Sequence, residues 1–151
     1  MLLAYRLPRE PSTPRIAVWR KLKRLGVAQL GDGLVALPRD ARTREALDWI
    51  ADEIVEAGGE ASVWLARPGT HAQERALTEA LSAAVVAEYA AVIAEAAAAA
   101  DAPPSVRRRT LARLRRELQR VRRRDYFPPA EREQAEAALA QLSAALVEAA
   151  V

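Results

Sequence analysis

The segment from Pro14 to Pro38 constrains the fold of this 151-residue chain more than any other. Four of its apolar residues recur at intervals of three and four, which places them on one face of a helix: Val18, Trp19, Leu22 and Leu25. Pro14 fits a first helical turn with Ser12 or Thr13 as the capping residue, and Gly26 ends the pattern. Arginine and lysine occupy most of the other positions before Gly26. We therefore predict an amphipathic helix with one apolar and one basic side.

A β-hairpin is predicted directly after this helix. Residues 27–30 and 34–37 are short apolar runs, and the Gly-Asp-Gly of residues 31–33 between them accepts the positive φ of a tight turn. Ahead of the helix, residues 2–7 alternate apolar and polar side chains, the period of a strand with one buried face. The order so far is strand, helix, strand, strand.

A second helix and a fourth strand continue the order. The helix is predicted to be capped by Asp40 or Thr43, to end at Gly58, and to bury one stripe: Leu47, Ile50, Ala51 and Ile54. Its outer face is acidic, so we expect it to attract the basic helix on a shared sheet face. The strand covers residues 62–65. The three tryptophans are expected in the core or at a dimer contact: Trp19, Trp49 and Trp64.

The predicted fold class is α+β. The order β-α-β-β-α-β is that of a ferredoxin-like domain, which we assign to residues 1–70. From residue 71 the composition changes to Ala, Glu, Arg and Leu, so residues 71–151 are predicted to form a helical region of about three helices. One sheet face would be bare, and we expect the helical region or a second copy of the chain to cover it.

The helical region carries the sharpest chemical feature of the chain. Its middle helix, with Ser105 as the expected cap, has a narrow apolar stripe: Leu111, Leu114, Leu118 and Val121. The same helix holds ten arginines between residues 107 and 124, opposed only by Glu117. Guanidinium groups bind phosphate oxygens bidentately, which favours contact with a nucleic-acid backbone. A short connection predicts that the last two helices pair antiparallel.

Together with the basic side of the first helix, these arginines give the predicted nucleic-acid-binding residues: Arg20, Lys21, Lys23, Arg24, Arg109, Arg113, Arg116, Arg120 and Arg123. The alternative is that both are ordinary solvated helix faces. The first helix would then be balanced by the acidic second helix, and the arginines would pair with Glu131, Glu133 and Glu136. No helix-turn-helix with a recognition helix is identifiable, so the charge supports backbone contact only.

The sequence favours a protein that is not an enzyme. It has no cysteine and one histidine, which removes disulfides, thiolate metal sites and a dedicated histidine site. Its serines lack a base at readable spacing, and no glycine-rich phosphate loop occurs. We expect no catalytic residue, no cofactor and no metal. The alanine-rich run 83–100 is interrupted by Glu88 and Glu95, so we expect no membrane segment and a cytoplasmic protein.

Several segments together resemble the N-terminal domain of ChrB, a regulator and resistance protein found with bacterial chromate-efflux genes: Leu2–Pro8, Pro11–Ser12, Val18–Gly26, Gly33–Pro38, Gly58–Ala61, Arg124–Phe127 and Glu136–Leu139. The resemblance implies transcriptional control of chromate resistance. It does not extend to the C-terminal domain of ChrB, to which chromate sensing is often linked. A stand-alone accessory role and a separately encoded C-terminal partner therefore both stay open.

We expect DNA as the partner and a homodimer as the oligomeric state. An oxyanion such as chromate would bind at a helix N-terminus or among arginines, with Arg6, Arg9 and Arg39 near strand ends as candidates.

The alternative function is a non-enzymatic interaction or dimerisation module of a chromate-resistance system. Its dimer would be unaffected by exchange of three arginines for glutamine: Arg116, Arg120 and Arg123.

Overall fold

A computed structural model describes residues 1–148 of the chain. The secondary-structure elements are β1 (Leu2–Arg6), α1 (Thr13–Leu25), β2 (Ala28–Gly31), β3 (Leu34–Ala36), α2 (Ala41–Glu56), β4 (Glu60–Trp64), α3 (His71–Ala98), α4 (Pro104–Arg122) and α5 (Ala130–Glu148). The described chain thus combines a four-stranded antiparallel sheet with five helices, which confirms the α+β class.

Two compact units divide the chain, one of residues Met1–Leu81 and a second that begins at Ser82. The boundary between them lies inside α3. The predicted division into a domain of residues 1–70 and a helical region from residue 71 concerns independent folding, and it stays a prediction.

The sheet of the first unit has the strand order β2-β3-β1-β4. Strand β1 is paired on both sides, with Leu3 opposite Val35 of β3 and opposite Val63 of β4. The predicted hairpin is confirmed, because β2 and β3 pair antiparallel with a register shift between Gln29 and Gly31. β4 ends at Trp64, so Leu65, predicted as a strand residue, lies outside the strand and is exposed.

The core of the first unit contains the apolar stripes predicted from the sequence. Val18 and Leu22 of α1 are fully buried, and so are Leu47 and Ile54 of α2. They share the interior with Leu3 of the central strand. Burial of a side chain of this size contributes about 1.5–3 kcal/mol to stability, so these stripes fix which side of each helix faces inward.

The helix starts match the predictions only in part. α2 has the predicted cap, since the Thr43 backbone N–H donates to Asp40 Oδ1 at 2.8 Å and the Asp40 N–H donates to Thr43 Oγ1 at 3.1 Å. Ser12 occupies the position before α1 without a side-chain capping bond. Ser105 was wrong as a cap, because α4 begins at Pro104. Both α1 and α4 have proline in the first turn, which removes one N–H that a cap would satisfy.

Two of the three tryptophans lie outside the core, which leaves the dimer contact as the open half of the prediction for them. Trp49 is 69% exposed and Trp64 is 60% exposed, whereas Trp19 is partly buried. Leu47 and Ile50 occupy the inner side of α2, which leaves Trp49 on the outer, acidic side. A dimer contact stays a prediction for both exposed rings.

The second unit has a core shared by α3, α4 and α5. Its buried residues include the predicted stripe of α4, Tyr89 and Val92 of α3, and Leu139 and Leu142 of α5. α4 and α5 run antiparallel, because their contacts descend along α5 as they ascend along α4: Arg107 with Ala145, Arg115 with Ser143 and Arg122 with Glu136. The predicted pairing of the last two helices is thereby confirmed.

One buried polar contact lies in this core. The Tyr89 hydroxyl donates to Asp125 Oδ2 at 2.8 Å, and the Asp125 side chain is 1% exposed. Burial, and then the hydrogen bond to Asp125, raise the pKa of Tyr89, so its hydroxyl stays a donor. Arg132 Nη1 lies 3.7 Å from the same carboxylate oxygen. The contact ties the end of α4 to α3.

Helix α3 is, within residues 1–148, the one helix long and apolar enough to cross a membrane by length and composition. In the second unit its apolar residues Val85, Tyr89, Val92 and Ala96 are buried in the helical core. The absence of a membrane segment stays a prediction.

Gly33→Ala is expected to destabilise the first unit. A Cβ at residue 33 would lie 2.1 Å from the Tyr5 backbone oxygen, and the φ of Gly33 is +69°. The left-handed backbone alone costs a side-chain-bearing residue about 1–2 kcal/mol, and the clash adds to that cost. Gly31→Ala is the matched control, since a Cβ there has no neighbour within 4 Å. Equilibrium urea unfolding that gave both variants equal stability would contradict this account.

Tyr89→Phe is expected to lower the free energy of unfolding by about 2 kcal/mol, because it removes a donor to a buried carboxylate. A double-mutant cycle with Asp125→Ala isolates the contact. Tyr89→Phe should cost much less in the Asp125→Ala background when both are measured by urea unfolding. Strictly additive effects of the two substitutions would show that the hydrogen bond contributes nothing.

Candidate nucleic-acid interface

Helix α4 carries a row of arginines opposite its apolar side, while Arg107, Arg115 and Arg122 lie towards α5. With 3.6 residues per turn, the buried Leu111, Leu114 and Leu118 lie on one side. Five predicted phosphate-binding residues follow one another at intervals of three and four on the other side: Arg109, Arg113, Arg116, Arg120 and Arg123. We call these five residues the arginine stripe. All five are exposed.

Three guanidinium groups of the arginine stripe have no ion pair or hydrogen bond with any residue that the structure describes: Arg109, Arg116 and Arg123. They are spaced seven residues apart, which is about 10.5 Å along a helix that rises 1.5 Å per residue. Their charge is therefore available to a ligand in solution.

The other two members of the arginine stripe have carboxylate partners. Arg113 pairs with Glu95 of α3, and Arg120 Nη1 lies 3.0 Å from Glu117 Oε2 within α4. The hydrogen bond to Glu95 raises the pKa of Arg113. Both pairs are solvent-exposed, and such pairs contribute about 0–1 kcal/mol, so a phosphate can compete with the carboxylate.

Other arginines of this region are held by the second unit itself. Arg124 pairs with Glu88, and Arg122 Nη1 lies 3.7 Å from Glu136 Oε1. Of the three glutamates predicted to neutralise the helix, Glu136 alone pairs with it in the described chain. The alternative, in which carboxylates neutralise the arginines of α4, therefore holds for some of these arginines. It does not hold for most of the arginine stripe.

The basic side of α1 is divided in the same way. Lys21 pairs with Glu53 of α2, which confirms the predicted attraction between these helices. Lys23 Nζ lies 5.5 Å from the centre of the Trp19 ring, a cation–π distance. Arg20 and Arg24 have no such partner among the described residues, and both are exposed. Of the predicted phosphate-binding residues on α1, the two arginines are thus the ones whose charge is free.

The proposed oxyanion arginines are not grouped. Arg6 ends β1 and lies opposite Glu60 of β4. Arg39 lies near the other end of β1, beside the Met1 amino group. Burial, and to a smaller extent the charge of Arg39, lower the pKa of that amino group. Arg9 is exposed between β1 and α1. Arg6 instead lines a cavity together with Arg15, which belongs to the predicted basic side of α1. The sequence does not predict this cavity, and its local signal is the helical spacing of Ser12, Arg15 and Trp19.

A family model described as "Protein ChrB, N-terminal" matches residues 15–101, more than half of the chain. The chain belongs to the ChrB N-terminal family. Membership of the ChrB family associates the chain with chromate resistance. A search of curated proteins and a search of solved structures each found no match.

The ChrB match covers α1, the hairpin, α2, β4 and α3. Four segments that carried the resemblance lie outside it: Leu2–Pro8, Pro11–Ser12, Arg124–Phe127 and Glu136–Leu139. The arginine stripe also lies outside the residues matched to ChrB. The family match therefore does not bear on the arginine stripe, which is supported by the geometry of α4.

Proposed function

We propose that the chain is a regulator of chromate resistance that binds DNA through phosphate contacts from the arginine stripe. One observation carries the proposal: Arg109, Arg116 and Arg123 have no partner within residues 1–148 and lie opposite the apolar side of α4. A cationic side of this kind is free to meet an extended anion without disturbing the core. The family membership supplies the association with chromate resistance.

The spacing of the arginine stripe supports a duplex partner. Its ends, Arg109 and Arg123, are about 21 Å apart along the helix. One DNA strand carries a phosphate for each 3.4 Å of axis, so the stripe is as long as about six base-pair steps. Each guanidinium that neutralises a phosphate releases counterions, which favours binding most at low salt. Phosphate contacts set affinity and orientation and leave base reading to other groups.

Helix α1 is a second, smaller contributor in this proposal. Arg20 and Arg24 supply free guanidinium groups, whereas Lys21 and Lys23 are engaged by Glu53 and Trp19. We therefore rank Arg20 and Arg24 above the two lysines. Exchange of either lysine would disturb a contact within the first unit as well as the charge.

The proposal also covers the fold of the first domain, the location of the protein in the cell and its oligomeric state. We propose a ferredoxin-like first domain, which the chain order and the central position of β1 support. We also propose a cytoplasmic, non-enzymatic homodimer without a cofactor. Among residues 1–148 no group of three His, Cys, Asp or Glu side chains is placed to hold a metal.

The variant Arg109→Gln/Arg116→Gln/Arg123→Gln tests the DNA proposal. We expect it to bind a duplex from the chain's own promoter region about tenfold or more weakly at 50 mM salt. The slope of log K against log salt should become less steep by about 3, because three phosphate contacts are lost at about 0.9 each. Fluorescence anisotropy across a salt series measures both quantities.

Arg42→Gln/Arg67→Gln/Arg75→Gln is the matched control, because it removes the same charge from exposed arginines elsewhere. It should change the salt slope little. Glu95→Gln is the complementary variant and should bind more tightly, since it frees Arg113. No binding of the unmodified protein at 50 mM salt, or equal losses in the two triple variants, would refute the proposal.

The alternative function, an interaction or dimerisation module, is favoured by the exposed indole rings of Trp49 and Trp64. Exposed large apolar groups commonly mark contact surfaces. In this alternative, Trp49→Ser/Trp64→Ser should convert a dimer to a monomer in light scattering, while Arg116→Gln/Arg120→Gln/Arg123→Gln should leave the dimer intact. A monomeric unmodified protein would exclude a homodimer.

A further inference from the structure

A cavity of about 710 Å³ opens in the first unit beside the start of α1. It is bounded by the end of β1, the first turns of α1 and the β2–β3 hairpin. Its volume lies within the range of about 300–1,000 Å³ that small-molecule sites occupy. All the residues that line it belong to the first unit, so the arginine stripe is a separate feature.

The polar groups of this cavity favour an anion. Arg6 and Arg15 both line it, and neither guanidinium has an ion pair or hydrogen bond with a described residue. The Ser12 side chain also lines it and makes no capping bond to α1. Asp32 is the one carboxylate among the lining residues, against two arginines. The cavity therefore holds an excess of donors and of positive charge.

The aromatic groups of the same cavity favour a flat ring. Tyr5 and Trp19 both line it, and both are partly buried. Burial raises the pKa of Tyr5 while the nearby Arg15 lowers it, and the hydroxyl stays protonated as a further donor at neutral pH. Such rings bind aromatic ligands through stacking and edge contacts.

The wall of the cavity is fixed before any ligand arrives. The Tyr5 backbone N–H donates to the Gly33 carbonyl oxygen at 2.7 Å, which holds the hairpin turn against β1. Trp19 is on α1, whose Val18 and Leu22 are fully buried. A site formed by rigid elements loses little conformational entropy on binding.

We propose that this cavity binds a small planar organic anion. Its acid group would contact Arg6 and Arg15, and its ring would contact Tyr5 and Trp19. A bare inorganic oxyanion would meet the two arginines but would leave the aromatic walls and most of the volume without contact. The site is independent of the DNA proposal, because it uses no residue of the arginine stripe.

Calorimetric titration with 2-naphthoate tests the proposal directly. We expect saturable binding with one ligand per chain, and at least tenfold weaker binding of both 2-naphthylmethanol, which lacks the charge, and sulfate, which lacks the ring. Arg15→Gln should weaken 2-naphthoate binding at least tenfold, and Arg6→Gln should weaken it as a second variant. Circular dichroism verifies that each variant is folded.

Arg44→Gln is the matched control, because Arg44 is an exposed arginine of the same unit that pairs with Asp48 on α2. It should leave the 2-naphthoate affinity unchanged. The proposal is overturned if the unmodified protein shows no saturable binding of 2-naphthoate. It is also overturned if sulfate or the alcohol binds as tightly, or if Arg15→Gln and Arg44→Gln have the same effect.

Discussion

Strand β1 has to be paired along both edges, and the first unit depends on that constraint. β3 and β4 both take their register from it, with Leu3 at the centre. The turn between β2 and β3 comes so close to β1 that residue 33 has no room for a side chain. The hydrogen bond from the Tyr5 backbone N–H to the Gly33 carbonyl oxygen holds the turn against β1. The same contact that completes the sheet also forms one wall of the cavity beside α1.

The second unit uses a different principle, the division of one helix into an apolar and a cationic side. The apolar side of α4 packs with Tyr89, Val92 and Leu139 in a shared core. Glu88, Glu95 and Glu136 from the neighbouring helices reach a subset of its arginines. The neutralised subset attaches α4 to its own unit. The subset without partners is then free for a ligand, so one helix carries both a packing role and a binding role.

The sequence alone predicts the elements of this fold well, because periodicity reports which side of a helix is buried. Val18, Leu22, Leu47 and Ile54 are all where the pattern places them. The sequence does not decide between core and dimer contact for Trp49 and Trp64, and both rings are exposed because other residues fill the inner side. The prediction of Ser105 as a cap is wrong because Pro103 and Pro104 already occupy the cap position and the first position of α4.

The candidate site is predictable to a smaller extent. The spacing of the arginine stripe follows from the sequence, but the pairing of Arg113 depends on Glu95 of another helix, which no local pattern reveals. The cavity depends on contacts among three elements, and no local pattern contains all of them. The exposed indoles have a practical consequence for spectroscopy. Since Trp49 and Trp64 already face water in the folded protein, the emission of these two rings will shift little on denaturation, so the partly buried Trp19 has to report unfolding. The emission of the two exposed rings will respond to anything that binds to their surfaces.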